Sequence, residues 1–167
     1  MKVLLLAPSF YTLANTLIKG FNQLGFQVHH YDYRSQTKNW KNKVNTQMFR
    51  LPYTIRNKWE NYFMTEINRR HTVVFEKEKP DIVFIYNNEM LLPKTLQYFK
   101  NTAKIIFIMG DNPYYTTTND YYMHLLFDAD LIISPDSFWA DQLKLLGIFY
   151  LWEPDIPMPG GINGRFS

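Results

Sequence analysis

Short apolar runs alternate along the chain with longer stretches in which apolar residues recur every three or four positions. The runs have the length of strands, and apolar runs without polar interruptions are typical of strands buried on both faces of a parallel sheet. Strands are predicted at residues 2–7, 26–33, 82–86, 104–109, 130–134 and 148–151.

The stretches between these runs have helical spacing. In the first of them Leu13, Leu17 and Phe21 are four residues apart, and Gly25 is a natural helix end. Thr54 is expected to cap a long helix, and Pro93 to begin a shorter one. Helices are predicted at residues 12–24, 54–79, 93–100, 120–127 and 136–146. Residues 35–53 have no clear period and are expected to form a loop with at most a short helix.

Strands and helices therefore alternate, which predicts an α/β domain over residues 1–152. Right-handed crossovers make a doubly wound (Rossmann-like) parallel sheet of about six strands the simplest closure, with helices on both faces and the first strand central. Residues 153–167 are rich in proline and glycine and are expected to be a linker or a poorly packed tail. If they are a linker, the domain that follows lies outside this chain.

Composition narrows the classes of protein. Cysteine is absent, which excludes disulfides, cysteine nucleophiles and thiolate metal sites. No apolar run approaches the roughly 18 residues of a membrane-spanning helix. The apolar start of the chain is short, and Phe10 and Tyr11 follow it in place of a signal-peptide cleavage site. We interpret it as the first strand and expect a cytoplasmic protein.

Positive charge is concentrated in one segment. Seven bases and no acid lie between Asp32 and Glu60, whereas the remaining 11 bases face 15 acids, a net charge of −4. A protein that binds nucleic acid would be more uniformly basic. We therefore expect no nucleic acid among the partners of this chain. The segment is either a solvated flank or a patch that faces an anionic substrate or an anionic membrane surface. Trp40 and Tyr53 in this segment could stack on a sugar face.

Several common kinds of site have no counterpart in the sequence. No glycine-rich phosphate loop follows the first strand, and no serine has the context of a hydrolase nucleophile. The four histidines have no metal-ligand spacing. Asp128-Ala129-Asp130 resembles the acidic metal motif of some sugar transferases, but Asp is also an ordinary turn residue before a strand. We therefore predict no metal site.

Position along the strands gives the remaining candidates, because ligands of open α/β sheets bind at the carboxyl ends of the strands. Polar and aromatic residues follow four of the predicted strands, as a crevice for a sugar or nucleotide would require. Each of them could equally be a turn or cap residue. They are Ser9, Phe10, Tyr11, Asn87, Asn88, Glu89, Asp111, Asn112, Tyr114, Ser134 and Asp136, and Lys38, Trp40 and Lys41 of the basic segment join them as candidate substrate-binding residues.

Six motifs resemble, in their order and spacing, the N-terminal half of CgeB-like (spore-maturation) glycosyltransferases, which have the two-domain GT-B architecture. The resemblance spans about residues 1–152. The motifs are Lys2-Val3-Leu4-Leu5-Leu6 with Ser9-Phe10-Tyr11, Phe21-Asn22-Gln23-Leu24-Gly25 leading to Tyr31-Asp32-Tyr33, Lys79-Pro80-Asp81-Ile82-Val83, Gly110-Asp111-Asn112-Pro113 where the family often has Asp-x-Pro, Ala129-Asp130-Leu131-Ile132-Ile133-Ser134, and Leu146-Gly147-Ile148.

The resemblance implies a domain that binds a sugar or glycan acceptor and forms one wall of an interdomain cleft. The nucleotide-sugar donor would be held mostly by a second domain, supplied by a C-terminal extension or a second chain, so this domain alone would bind no cofactor and be inactive. The reaction would be displacement at an anomeric carbon, with a general base that takes the acceptor proton. Position after the strands, and not the family pattern, makes Asp111 or Glu89 the candidate for that base. Two other functions stay open: a stand-alone binding module that docks an anionic ligand or partner through the basic aromatic segment, and a small nucleotide-dependent enzyme, which the missing glycine motif disfavours.

Overall fold

The computed structural model describes residues 1–9, 12–48, 50–87, 90–110, 125–134, 137–145, 147 and 150–151. Its strands are β1 (Lys2–Leu6), β2 (Gln27–Tyr31), β3 (Ile82–Tyr86), β4 (Lys104–Ile108), β5 (Leu131–Ile133) and the two-residue β6 (Tyr150–Leu151). Its helices are α1 (Thr12–Gln23), α2 (Tyr33–Gln36), α3 (Asn39–Met48), α4 (Tyr53–Glu78), α5 (Pro93–Lys100) and α6 (Ser137–Leu145), and residues 125–127 are also helical.

The strands form one sheet in the order β2-β1-β3-β4-β5-β6, and every pair of neighbours is parallel. The predicted α/β fold with a parallel, Rossmann-like sheet is confirmed. Five strands have three residues or more, against about six predicted; of the sixth predicted segment, residues 148–151, the structure describes only Tyr150 and Leu151, which pair with β5. β1 is an interior strand, but it is not the central strand that was predicted. β3 and β4 lie in the middle of the sheet, because after β2 the chain crosses to the other side of β1 and adds every later strand there.

Helices cover both faces of the sheet. Leu4 and Leu6 belong to the core on the α4 and α5 side, with Ile67 and Phe99, whereas the alternate residues Val3 and Leu5 pack with Ala14 of α1. Residues 3–6 are at most 1% exposed. Burial on both faces requires apolar residues at successive positions, which explains why β1 is a continuous apolar run instead of an alternating one.

The segment between β2 and β3 differs most from its prediction. Residues 35–53 contain the end of α2 and all of α3, which has ten residues, where a loop with at most a short helix was expected. α3 has no buried residue, and seven of its ten residues are polar, so its apolar spacing is weak evidence for a helix. Polar contacts hold it instead: Asn42 Nδ2 donates to the Arg34 carbonyl at 3.1 Å, and Asn45 Oδ1 accepts from Trp59 Nε1 at 3.2 Å.

The start of α4 also differs. The helix begins at Tyr53 after Pro52, so Thr54 lies in its first turn and does not cap it. The helix then continues without a break to Glu78, through the β-branched residues 72–74. Among the described helices, none combines the length and the apolar character that crossing a bilayer requires. The predicted tail at 153–167 and most of the predicted helix at 120–127 lie outside the described residues.

Candidate functional site

Because all strands are parallel, their carboxyl ends lie along one edge of the sheet, which we call the carboxyl edge. The described residues that follow the strands there are Ser9 after β1, Asp32 after β2, Asn87 after β3, Gly110 after β4 and Ser134 after β5. Asp32 and Ser134 are buried, Asn87 is partly buried, and Ser9 and Gly110 are exposed.

Asp32 ties the loop after β1 to the start of α2. Its Oδ2 accepts a hydrogen bond from the Ser9 amide and its Oδ1 accepts one from the Arg34 amide, both at 2.8 Å. Burial alone would raise the pKa of Asp32, but the hydrogen bonds from Ser9 and Arg34 outweigh it and lower the pKa below its usual value. The carboxylate is therefore charged at neutral pH, and its hydrogen bond holds the backbone of Ser9 in place.

Asn87 plays the corresponding part between β3 and β4. The backbone N–H of Asn87 donates to the Ile108 carbonyl at 2.8 Å, and the side-chain Oδ1 of Asn87 accepts from the backbone N–H of Gly110 at 2.9 Å. The backbone of Asn87 has a φ of 50°, a left-handed conformation that Asn tolerates better than most residues. Gly110 is needed for another reason: a Cβ there would lie 2.7 Å from Cζ of the Tyr86 ring. The side chain of Asn87 thus holds the backbone where the chain leaves β4.

The loop between β3 and α5 is fastened to α4 by a buried amide. Asn68 Nδ2 donates to the carbonyls of Met64 and Met90, at 2.8 and 2.9 Å, and its Oδ1 accepts from the Leu92 amide at 2.9 Å. Neither Asn68 nor Asp32 was among the site residues predicted from the sequence. Asp32 was within reach of the same positional argument, since it directly follows a strand, and Asn68 shows only as a lone amide among the apolar positions of a long helix.

The structure describes some of the predicted site residues and not others. Ser9, Asn87 and Ser134 lie at the carboxyl edge as described above. Lys38, Trp40 and Lys41 lie on the segment between α2 and α4. Outside the described residues are Phe10, Tyr11, Asn88, Glu89, Asp111, Asn112, Tyr114 and Asp136, so both candidate bases stay predictions.

α3 and the first half of α4 form an antiparallel helical hairpin, which we call the basic hairpin (residues 38–48 and 50–65). Asn45 meets Trp59, and the earlier residue Lys41 meets the later Tyr62, where the ammonium donates to the phenol oxygen at 2.8 Å. α4 has 26 residues and is about 39 Å long, whereas a five-residue strand spans about 17 Å. Since Asn68 is level with the loop after β3, the part of α4 before it extends beyond the carboxyl edge, and the basic hairpin stands there.

At the opposite, amino edge, two aspartates clamp neighbouring strands. Asp81 Oδ2 accepts from the Lys2 amide at 2.7 Å, and Asp130 Oδ2 accepts from the Ile105 amide at 2.8 Å. Asp130 Oδ1 also accepts from Lys104 Nζ at 2.9 Å, and Asp128 lies 3.8 Å from Lys100 Nζ. These contacts favour the turn interpretation of Asp128-Ala129-Asp130 over the metal interpretation. Within the described ranges, no three His, Asp or Glu side chains are grouped so as to hold a metal ion.

Two open clefts lie at this amino edge and not at the predicted site. One has a volume of about 510 Å³ and includes Phe75, Glu76 and Tyr98; the other, about 390 Å³, includes Lys100 and Asp130. Tyr98 donates its hydroxyl to Glu76 at 3.0 Å, and Asp130 is engaged in its clamp. These polar groups thus already have hydrogen-bond partners within the protein. The volume of the two clefts is therefore not a reason to prefer them to the carboxyl edge as the candidate site.

Comparisons with known proteins add no further family evidence. A scan against protein-family models found no match, and a search of curated proteins found none either. The resemblance to CgeB-like glycosyltransferases therefore rests on the order of the motifs in the sequence.

Proposed function

We propose that this chain is the acceptor-side domain of a two-domain glycosyltransferase of the CgeB-like kind, inactive until a second domain supplies the nucleotide-sugar. The observation that carries the proposal is the set of backbone anchors at the carboxyl edge. Asp32 holds Ser9, Asn87 holds Gly110, and Asn68 holds the loop after β3. The edge where a Rossmann-like sheet binds ligands is thus built with fixed loop ends.

The anchors adjoin, in sequence, both residues proposed as the general base. Asp111 directly follows Gly110, whose amide is bonded to Asn87. Glu89 lies between Asn87 and Met90, whose carbonyl accepts from Asn68. Fixed backbone on the approach to a catalytic side chain lowers the entropic cost of placing that side chain against a substrate.

The proposed chemistry needs a carboxylate on this domain and a leaving group on the other. Asp111 or Glu89 would take the proton of an acceptor hydroxyl as the hydroxyl oxygen attacks the anomeric carbon. The bond from that carbon to the donor phosphate would break, and the nucleoside diphosphate would leave with its electron pair. This chain would contribute the acceptor site, with Ser9, Asn87 and Ser134 among its described polar groups. The donor site would come from a C-terminal domain or a second chain.

A second candidate function, a stand-alone binding module, is favoured by the basic hairpin. α3 buries no residue, so its sequence is not explained by packing of the core. Trp40 is 54% exposed, and the Lys41 ammonium lies 5.0 Å from the centre of the Tyr62 ring. Exposed aromatic and cationic groups in one place are typical of surfaces that bind a ligand or partner.

Calorimetric titration distinguishes the two functions. The chain is titrated with UDP-glucose, UDP-N-acetylglucosamine and GDP-mannose, and separately with methyl glycosides and maltotriose as acceptor probes. We expect weak binding of at least one acceptor probe and none of the nucleotide-sugars. The variants Asp111→Asn and Glu89→Gln should weaken acceptor binding, while the control Asp141→Asn, an exposed carboxylate on α6, should not. Tight binding of a nucleotide-sugar to this chain alone, or acceptor binding that ignores both site variants, would contradict the proposal.

A further inference from the structure

We propose that the basic hairpin is a peripheral membrane-docking surface that binds bilayers containing anionic lipids. The proposal goes beyond sugar transfer and does not depend on it. It concerns a defined set of exposed side chains, which we call the docking surface. These are Lys38, Trp40, Lys43, Arg50, Leu51, Ile55, Lys58 and Tyr62.

The charges of the docking surface are not neutralised within the described part of the protein. The carboxylates nearest in sequence are already engaged. Asp32 accepts from two backbone amides, Glu60 pairs with Arg56 at 3.0 Å, and Glu66 accepts from Arg70 at 2.8 Å. Lys38, Lys43, Arg50 and Lys58 form no salt bridge with another described residue. These four cations, which have no acidic partner in the described ranges, give the projection a positive potential that is complementary to an anionic bilayer.

Apolar side chains accompany these cations, and they distinguish a membrane from other polyanions. Trp40, Ile55 and Tyr62 are each more than half exposed, and Leu51 is 41% exposed. Aliphatic groups such as Ile55 and Leu51 gain nothing from a nucleic-acid backbone, but they gain from burial among acyl chains. Trp and Tyr are the residues that favour the boundary between headgroups and hydrocarbon.

The arrangement of these groups on the hairpin fits a bilayer. Trp40, Val44 and Met48 are spaced by four residues and lie along one stripe of α3, and none of them is buried. A cleft of about 400 Å³ at the end of the stripe is lined by Val44, Met48 and Leu51 together with Lys43 and Arg50. Apolar groups flanked by long cationic side chains are the pattern of a helix that lies in a membrane interface.

A second copy of this chain is a poorer occupant of the docking surface. A two-fold symmetric contact would place the same basic patch on both sides, so the cations of one copy would face those of the other. Like charges that face each other in a contact destabilise it. An anionic bilayer offers the opposite charge and an apolar layer beneath it, which matches both kinds of side chain at once.

Sedimentation with lipid vesicles tests the proposal on the full chain at low salt. We expect binding to phosphatidylcholine vesicles that contain one-third phosphatidylglycerol, and none to pure phosphatidylcholine. Each base near an anionic surface strengthens binding about fivefold, so changing Lys38, Lys43 and Lys58 to Ser should weaken it roughly a hundredfold. The matched control changes Lys19, Lys94 and Lys144, exposed on α1, α5 and α6, to Ser and should change binding less than threefold, about what lower net charge alone does.

Two further variants test the apolar part. Trp40→Ser and Ile55→Ser should each weaken vesicle binding several-fold, because each removes apolar area from the bilayer. Circular dichroism and the urea midpoint should be unchanged, since both side chains are exposed. The proposal is overturned if neither vesicle binds, if both lysine triples lose binding equally, if the apolar variants bind like the parent chain, or if poly(U) competes fully with the anionic vesicles.

Discussion

Removing the Asn68 amide should destabilise the protein and free the loop that leads to the candidate site. In Asn68→Ala the Met64 carbonyl keeps its helical partner, but the Met90 carbonyl and the Leu92 amide lose theirs. Each partly buried group left unsatisfied costs roughly 1 kcal/mol, and the lost packing of the buried side chain adds about 1 kcal/mol more. We expect a loss of about 3 kcal/mol in the free energy of unfolding.

Urea denaturation followed by circular dichroism measures this loss. For a chain of this size about 3 kcal/mol corresponds to a decrease in Tm of roughly 6–12 °C. The matched control is Asn61→Ala on the same helix, because Asn61 is exposed and its side chain bonds, among the described residues, only to the Asn57 side chain one turn earlier. Its free energy of unfolding should stay within about 0.5 kcal/mol of the parent value. Hydrogen exchange at the Leu92 amide should accelerate in Asn68→Ala alone.

Asn68→Asp separates the hydrogen bonds from packing. Its carboxylate would face the Met64 and Met90 carbonyls without donors to offer them, so at neutral pH the variant should be less stable than Asn68→Ala. Burial next to these carbonyls would raise the pKa of the new carboxyl in the folded state. The destabilisation should therefore diminish as the pH falls towards 4. The reasoning fails if Asn68→Ala costs under 1 kcal/mol, or if Asp at this position is no worse than Ala at pH 7.

Three further predictions concern the other anchors and clamps. Burial acts to raise the pKa of Asp130, but the Ile105 amide and the Lys104 ammonium lower it overall. The stability from this clamp should therefore be present above the unfolded pKa of about 3.9 and decline as the pH falls through the lower folded value. The urea midpoints of the parent and Asp130→Asn should then approach each other as the pH falls below about 5; constant separation would refute this. Gly110→Ala should lower the free energy of unfolding by about 1–2 kcal/mol, because its Cβ meets the Tyr86 ring. In a Tyr86→Leu background the same change should cost little in urea unfolding; an equal cost would show that the clash is not the cause. Asp32→Asn should accelerate hydrogen exchange at the Ser9 or Arg34 amide, since an amide side chain has one acceptor oxygen where the carboxylate has two; unchanged exchange at both would argue against the tie.

The sheet could be predicted from the sequence because its physical requirement is simple. Residues of β1 are buried on both faces, so only an uninterrupted apolar run satisfies them, and such a run is visible without any partner. α5 was likewise found with its bounds, since Pro93 begins it. α3 was not, because only three of its ten residues are apolar and its contacts, such as that of Asn45 with Trp59, are polar contacts with the next helix.

The candidate site was only partly predictable for the same reason. Position after a strand is a property of the sequence, and it placed Ser9, Asn87 and Ser134 at the carboxyl edge. The groups that hold such positions are distant partners: Asp32 is 23 residues from Ser9, and Asn68 is 24 residues from Leu92. No local pattern records these pairings, so they are found only from the folded chain.

The clamps at the amino edge explain what two of the resembling motifs do. Asp81 of Lys79-Pro80-Asp81-Ile82-Val83 accepts from the Lys2 amide, and Asp130 of the motif before β5 accepts from the Ile105 amide. Both are structural contacts that join adjacent strands. A motif of this kind therefore indicates how a sheet is assembled, and it weighs less on the question of which reaction the protein performs.

The basic hairpin lets two parts of the chain evolve under different rules. A change inside β1 disturbs packing on two faces at once, whereas a change on the outer side of α3 disturbs none, because α3 has no buried residue. Substitutions there alter charge and apolar area without loss of the fold. The outer side of α3 is thus a surface whose sequence can change while the sheet stays intact.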